Sequence, residues 1–289
     1  MINRISVVGD CVRDIIILTK DVKIINSPKN KKQHLSFVYG DKINVEGLFY
    51  DLGGSACNAA VSLRRLGLKT NMVSMLGDDI YSRKLLKELK NKKIGTKFII
   101  KEKEKDLGIS FVLLGPDRDR TILTYRSDND FSKIKLRNIC NSSGAYYLAG
   151  INKYSSILQK GILEDAKKKN KPIFINPSGF QIERNIIMLK KIIKEASIVI
   201  TNLEEAKRIL RINRKIDINK LMVSFKKITK GTVVVTDGKK GAYCSDGKSI
   251  YKSGIYPARR ADTTGAGDSF ASTFIAAKIK GWPMEDALK

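Results

Sequence analysis

The sequence has 289 residues, 42% of them hydrophobic, which allows one large domain with a buried core and excludes a disordered or fibrous chain. Its 55 basic residues outnumber 29 acidic ones for a net charge of +26, but the basic residues spread over amphipathic stretches such as 84–93 and 167–171. Without a recognition helix, a zinc finger or an aromatic RNA-binding strand, nucleic acid is not the expected partner, although a positive field would draw in anionic nucleotides. No run approaches the roughly eighteen apolar residues of a membrane span, and Gly9 and Asp10 cut off the first apolar run, so a cytoplasmic protein with no membrane partner is expected.

In chain order, a buried strand is predicted at 5–8, followed by strand-like runs at 12–19, 35–39 and 43–50 with no helix between them. A helix follows at 55–66, a strand at 70–75, a helix at 81–92, and a second pair of strand-like runs at 109–114 and 121–125. Strands at 145–148, 173–175, 198–201 and 233–236 then alternate with helices at 155–170, 186–195, 203–210 and 218–228. This alternation is the pattern of an α/β fold with a mostly parallel central sheet flanked by helices on both faces. The runs at about 12–19, 35–50 and 109–125 form a small β-sheet of their own within a single domain spanning 1–289. Beside a site, such a sheet is a natural lid that excludes water.

The four cysteines, Cys11, Cys57, Cys140 and Cys244, lack Cys-x-x-Cys spacing and read as reduced, mostly buried thiols. The sole histidine, His34, sits in a Lys-rich stretch and reads as a surface residue. Unless His34 serves, chemistry in this chain therefore has to run without a histidine base.

The segment with the most chemical content runs from Asp262 to Phe270, Asp-Thr-Thr-Gly-Ala-Gly-Asp-Ser-Phe, ahead of a small-residue apolar helix to about 279. Gly265, Ala266 and Gly267 let backbone N–H groups turn toward a ligand at a helix N-terminus, where the dipole favours an anion. Asp268, just inside that helix, can take a proton from a hydroxyl that attacks phosphorus. By itself the string also describes an ordinary capped helix. A second glycine segment, Gly53-Gly54-Ser55-Ala56-Cys57-Asn58, can bring backbone close to a polyol and present Asn58 one turn later, or simply turn into a buried helix.

Together and in this order, the two segments resemble the signature motifs of the ribokinase-like (pfkB) carbohydrate kinase family. The resemblance spans nearly the whole chain and implies ATP, Mg2+ and a small sugar, a pentose or hexose, with a nucleoside as the alternative acceptor and a non-catalytic sugar- or nucleic-acid-binding protein as the alternative of another class. It implies that Asp268 is the catalytic base and that the amides of Gly265, Ala266 and Gly267 form the anion hole. Asp14, Gly53, Gly54 and Asn58 are similar to the residues that hold the substrate. On the nucleotide side, Asn176 follows the strand at 173–175; Asn202 and Glu205 match an Asn-x-x-Glu motif tied to magnesium; Thr236, Gly238 and Gly241 resemble the nucleotide-side turn. Locally, these also read as a helix cap and plain loops. Asp262 and Thr264 fit the place of a monovalent cation such as K+. The segment from Asp117 to Arg126 resembles the sugar-contacting lid of such kinases, and a homodimer joined through the lid is a further expectation.

Rival phosphate motifs do not fit. The run from Gly241 to Gly247 before Lys248-Ser249 is one residue too long for a P-loop and is followed by strand-like sequence, and the turn after the first strand lacks the second and third glycines of a dinucleotide-binding fingerprint. Relatives continue past the catalytic helix with another helix and strand. If Lys289 is the natural end, an incomplete adenine pocket is expected; if the natural chain runs on, the expectation is a partly uncovered apolar side on the 270–279 helix.

Overall fold

The computed structural model describes residues 2, 4–27, 33–115, 119–127, 130–151, 155–256 and 265–289. The first half of the chain contains β1 (Arg4–Val8), β2 (Val12–Leu18), β3 (Lys23–Asn26), β4 (Gln33–Ser36), β5 (Gly47–Gly53), α1 (Ser55–Arg65), β6 (Lys69–Leu76), α2 (Ile80–Asn91), β7 (Gly95–Lys101), β8 (Gly108–Leu114), β9 (Arg120–Tyr125) and α3 (Leu136–Ser142). Then come β10 (Ala145–Leu148), α4 (Ser156–Lys169), β11 (Ile173–Ile175), α5 (Gly179–Arg184), α6 (Ile186–Glu195), β12 (Ile198–Asn202), α7 (Leu203–Leu210), α8 (Ile218–Lys226), β13 (Thr232–Thr236), β14 (Ala242–Ser245), β15 (Ile250–Ser253), α9 (Ala266–Ile279) and α10 (Met284–Leu288).

Nine strands make one sheet in the order β15-β14-β13-β12-β11-β10-β1-β6-β7. It is parallel from β7 to β13 and antiparallel at β14 and β15. Alternation along each strand divides the core between two faces. Ile5, Val7, Met72, Tyr147, Ile200 and Val234 face a cluster with α1, α2, α9 and α10, whereas Val8, Val73, Tyr146, Val199 and Val233 face the side covered by α3 to α8. The expected parallel sheet with helices on both faces is thus the observed fold.

Because β1, β10, β11, β12 and β13 run parallel, their carboxyl ends open on a single edge, with β10 on one side of β1 and β6 on the other. At such an edge ligands meet loop and helix termini. Asp10, Gly150, Asn176, Asn202 and Thr236 all follow or end strands there.

The four-stranded second sheet has the order β5-β2-β8-β9, with β2 and β8 parallel and the outer pairs antiparallel. One expectation needs correcting: the run at 35–39 does not join it. Residues 33–36 pair instead with β3 in a separate ribbon, Ile24 opposite Leu35 and Ile25 opposite His34. His34 is exposed there, as expected. The strand-like sequence after Lys248-Ser249 forms β15, whereas the edge strand β7 escapes sequence reading because Lys97 and Lys101 blur its alternation.

Candidate active site

The helices α1 and α9 lie side by side on the same face of the main sheet. Small buried residues on both, Ala56, Ala59 and Ala60 against Ala271, Ser272 and Ala276, allow close approach. Their N-termini consequently meet: the Asn58 Nδ2 donates to Asp268 Oδ2 at 2.9 Å, a bond between residues 210 positions apart. Asp268 also accepts a bond from the Ser55 side chain. Burial pushes the Asp268 carboxyl above its usual range, while Asn58 and Ser55 act to lower it.

Gly265 precedes α9 with a φ of +71°, a left-handed conformation natural to glycine, and no side chain caps the helix. The first intrahelical bond there runs from the Ser269 N–H to the Gly265 carbonyl at 2.9 Å. The amides of Gly265, Ala266 and Gly267, with that of Asp268, therefore come before the helical ladder begins, at its positive end. A Cβ placed on Gly267 would meet nothing within 4 Å, so this turn opens onto space.

At the start of α1, Gly54 has a φ of +89°, and an added Cβ would lie 2.6 Å from the Asp10 carbonyl oxygen. The Asp14 carboxylate occupies the space beside Gly53. On the small sheet Asp14 stands in a polar transverse row with Asp51 of β5, Ser110 of β8 and Thr124 of β9. Burial pushes the Asp14 carboxyl up to about 6; the Ser110 bond and Arg13 pull it down, and Asp51 and Asp268 add to the rise.

On the far side of Asp268, a cleft of about 210 Å3 is lined by Asn176, Asn202, Glu205, Thr236, Gly267 and Asp268. The Asn202 side chain accepts from the Glu205 N–H at 2.8 Å, and Glu205 Oε2 accepts from the Asn202 N–H at 3.0 Å, a reciprocal cap that fixes the first turn of α7. Burial pushes the Glu205 carboxyl up, with Asp268 adding to the rise. A wider cleft of about 500 Å3 adjoins it, where Gly238, Gly241 and Ala266 meet Ile255, Phe270 and Leu288. Here the sequence expectation is corrected: α10 packs on α9, β14 and β15, with Ala287 and Leu288 buried, so α9 is covered on that side.

Among the described residues no group of three or more His, Cys, Asp or Glu side chains could hold a metal ion. A magnesium ion carried by a nucleotide needs only one or two carboxylates besides phosphate oxygens and water, and Glu205 in the smaller cleft fits that donor set. Asp262 and Thr264, expected beside a monovalent cation, lie outside the described residues, as does Asp117 of the expected sugar-contacting segment.

The family model for pfkB family carbohydrate kinases matches residues 3–289. The chain belongs to this family. This carbohydrate kinase is 27% identical over 254 residues to a 5-dehydro-2-deoxygluconokinase of Geobacillus thermodenitrificans, covering 82% of this chain and 75% of the relative. It is 26% identical over 266 residues to an ATP-dependent 6-phosphofructokinase of Thermoanaerobacterium thermosaccharolyticum, covering 88% and 81%. Among solved structures, the ribokinase of Arabidopsis thaliana complexed with ribose and ATP aligns with a TM-score of 0.77 at 23% identity, covering 100% of this chain and 89% of the other. The adenosine kinase of Sinorhizobium meliloti aligns with a TM-score of 0.79 at 17% identity, covering 100% and 90%. Likeness at such identities shows the fold.

Two residues of the kinase were missed in the sequence. Ser55, in the second glycine segment, reads from the sequence as a helix start, yet its side chain bonds Asp268. Asp10 was read merely as a strand breaker. Burial pushes its carboxyl up to about 7 against the lowering effect of Arg126, and its Oδ1 has no hydrogen-bond partner. A folded-state pKa above the unfolded 3.8 means stability that is fully present below about pH 4 and is lost as pH rises through 7. Asp10→Asn is therefore expected to raise the melting temperature by about 3 °C at pH 8 and by much less at pH 4.5, as thermal denaturation at both pH values would show.

Proposed function

We propose that this kinase transfers the γ-phosphoryl group of ATP to a hydroxyl of a small sugar, with Asp268 as general base. The observation that carries the reading is the Asn58 to Asp268 bond, which joins the two glycine motifs at the open N-terminus of α9, between the polar row at Asp14 and the cleft at Glu205. In this mechanism Asp14, Gly54 and Asn58 hold the acceptor, with the small sheet as its cover. Asp268 takes the hydroxyl proton as the oxygen forms its bond to phosphorus, and the bond from phosphorus to the ADP oxygen breaks. The amides of Gly265, Ala266 and Gly267, with that of Asp268, stabilise charge on the transferred group. Asn176, Asn202, Glu205 and Thr236 would line the triphosphate path, with the adenosine in the wider cleft beside Gly238, Gly241 and Phe270. Magnesium, reached by Glu205 through water, would offset triphosphate charge when bound.

Among sugars, the names of the relatives direct the choice to six-carbon derivatives, a keto acid or a sugar phosphate. Of Phe37, Tyr39 and Phe49, aromatic side chains that could wall a nucleoside acceptor, only Phe49 belongs to the small sheet, opposite Ile16 on the face that carries Asp14, and it is exposed. The test is ADP release over a panel of pentoses, hexoses, 5-dehydro-2-deoxygluconate, fructose 6-phosphate and nucleosides. A sugar or sugar derivative should give the highest kcat/KM. ADP release with nucleosides alone, or with no acceptor in the panel, would refute the reading.

The small sheet also supports a homodimer joined through it. On its outer face Tyr50, Ile15, Phe111 and Leu123 form an apolar row across the strands, and Tyr50 and Leu123 are each 55% exposed. Exposed apolar side chains such as Tyr50 and Leu123, flanking the buried Ile15, favour association. In sedimentation the protein is expected to run as a dimer and Leu123→Asp as a monomer; a wild type that stays monomeric at micromolar concentration contradicts this. Among the described residues no helix is long and apolar enough to cross a membrane.

A further inference from the structure

Neighbouring side chains of a strand point to opposite faces. On β2, Asp14 faces the site, so Arg13 faces away, in a row with Leu52 of β5, Ile109 of β8 and Tyr125 of β9. The Arg13 side chain is only 3% exposed, and a buried guanidinium among such neighbours needs a counter-charge. Glu88 of α2 supplies it through two parallel bonds, Nη1 to Oε2 at 3.2 Å and Nη2 to Oε1 at 3.0 Å. This fork-on-fork geometry fixes direction as well as distance.

The same helix holds the small sheet at a second point. Asp79, the N-cap of α2, accepts from Ser82 and also from the Leu107 N–H at 2.8 Å, one residue before β8. Both central strands of the small sheet are thus rooted on α2, and α2 shares a core with α1 through Leu85 and Leu89. Since α1 carries Asn58, and Asn58 holds Asp268, a continuous chain of packed elements links the two faces of the site.

We propose that Arg13 and Glu88 are a positioning pair that sets the place of Asp14 relative to Asp268, so that acceptor affinity depends on a salt bridge on the opposite face of the sheet. The proposal rests on the reading of Asp14 as an acceptor-holding residue. Without the bridge β2 can tilt as a unit, and shifts of about 1 Å in a positioning group weaken binding and catalysis measurably.

The test compares Glu88→Gln, Arg13→Met, the double variant and Arg13→Lys, with 5-dehydro-2-deoxygluconate and fructose 6-phosphate as acceptors. Glu88→Gln should raise the acceptor KM about tenfold and leave the KM for ATP within about twofold. The double variant should be no worse than Arg13→Met alone, because both changes remove one interaction. Arg13→Lys, which keeps charge but loses the fork, should recover only part of the affinity. A lowered melting temperature with an unchanged acceptor KM in folded protein, or KM values for acceptor and ATP that rise together, overturns the proposal. A second arm needs no acceptor: in the unliganded protein, amides of 12–18 and 108–114 should exchange hydrogen about tenfold faster in Glu88→Gln, with α9 unaffected. Unchanged exchange overturns the pairing whatever the acceptor proves to be. Faster exchange without turnover of any sugar by the wild type would instead count against the kinase site and support the anchor.

Discussion

Asp268→Asn is expected to lower kcat about a thousandfold or more, with the acceptor KM changed by no more than about threefold. General bases contribute roughly 10^2 to 10^4 in rate, and the asparagine oxygen can still accept the Asn58 amide that the carboxylate accepts at 2.9 Å. The shape of the site should therefore survive while the proton acceptor is lost. The sign of the stability effect follows from the pKa. Burial raises the Asp268 carboxyl in the folded state, so its contribution to stability declines as pH rises, and at pH 8 the variant should melt no lower than the wild type. Coupled ADP release and a thermal melt measure both quantities. A variant that keeps wild-type kcat would remove Asp268 from the base role, and one that melts far below the wild type would show that the carboxylate serves the fold instead.

Asp14 should carry the second largest effect, on acceptor binding. Asp14→Ala is expected to raise the acceptor KM about a hundredfold, since hydrogen bonds to a charged group contribute about 1.5–3 kcal/mol each. The carboxyl, pushed up to about 6 mainly by burial, is ionised above that pH and can then accept bonds from sugar hydroxyls with both oxygens. Below pH 6 protonation removes that capacity, so kcat/KM for the acceptor should fall by about tenfold per pH unit. Asp14→Asn should abolish the break near pH 6 at the cost of a uniformly lower kcat/KM, leaving whatever limb Asp268 contributes. A profile in which Asp14→Asn keeps the break would assign it to another group.

Much of this site was legible because its backbone demands are unusual. The +89° φ at Gly54 and the +71° φ at Gly265 require glycine, so both turns appear as glycine strings that ordinary helices do not need. The main strands were equally readable, since burial on both faces makes them unbroken apolar runs. Asp10 was not legible: among 29 acidic residues nothing local marks one that is buried. Arg13 and Glu88 are 75 positions apart, and only the tertiary fold makes them partners. The β3–β4 ribbon was half-missed because register between short, exposed, polar-flanked strands leaves little periodic trace. Nor does periodicity report that Leu288 returns to the wider cleft, where packing of α10 against α9 and β15 places it.

The most direct measurement is a crystal structure of the protein with ADP, aluminium fluoride and an acceptor sugar. The expected result has the fluoride group on the amides of Ala266, Gly267 and Asp268, with an acceptor oxygen between it and the Asp268 carboxylate. A nucleotide whose phosphates lie away from the α9 N-terminus, or an acceptor oxygen with no contact to Asp268, would contradict the assignment.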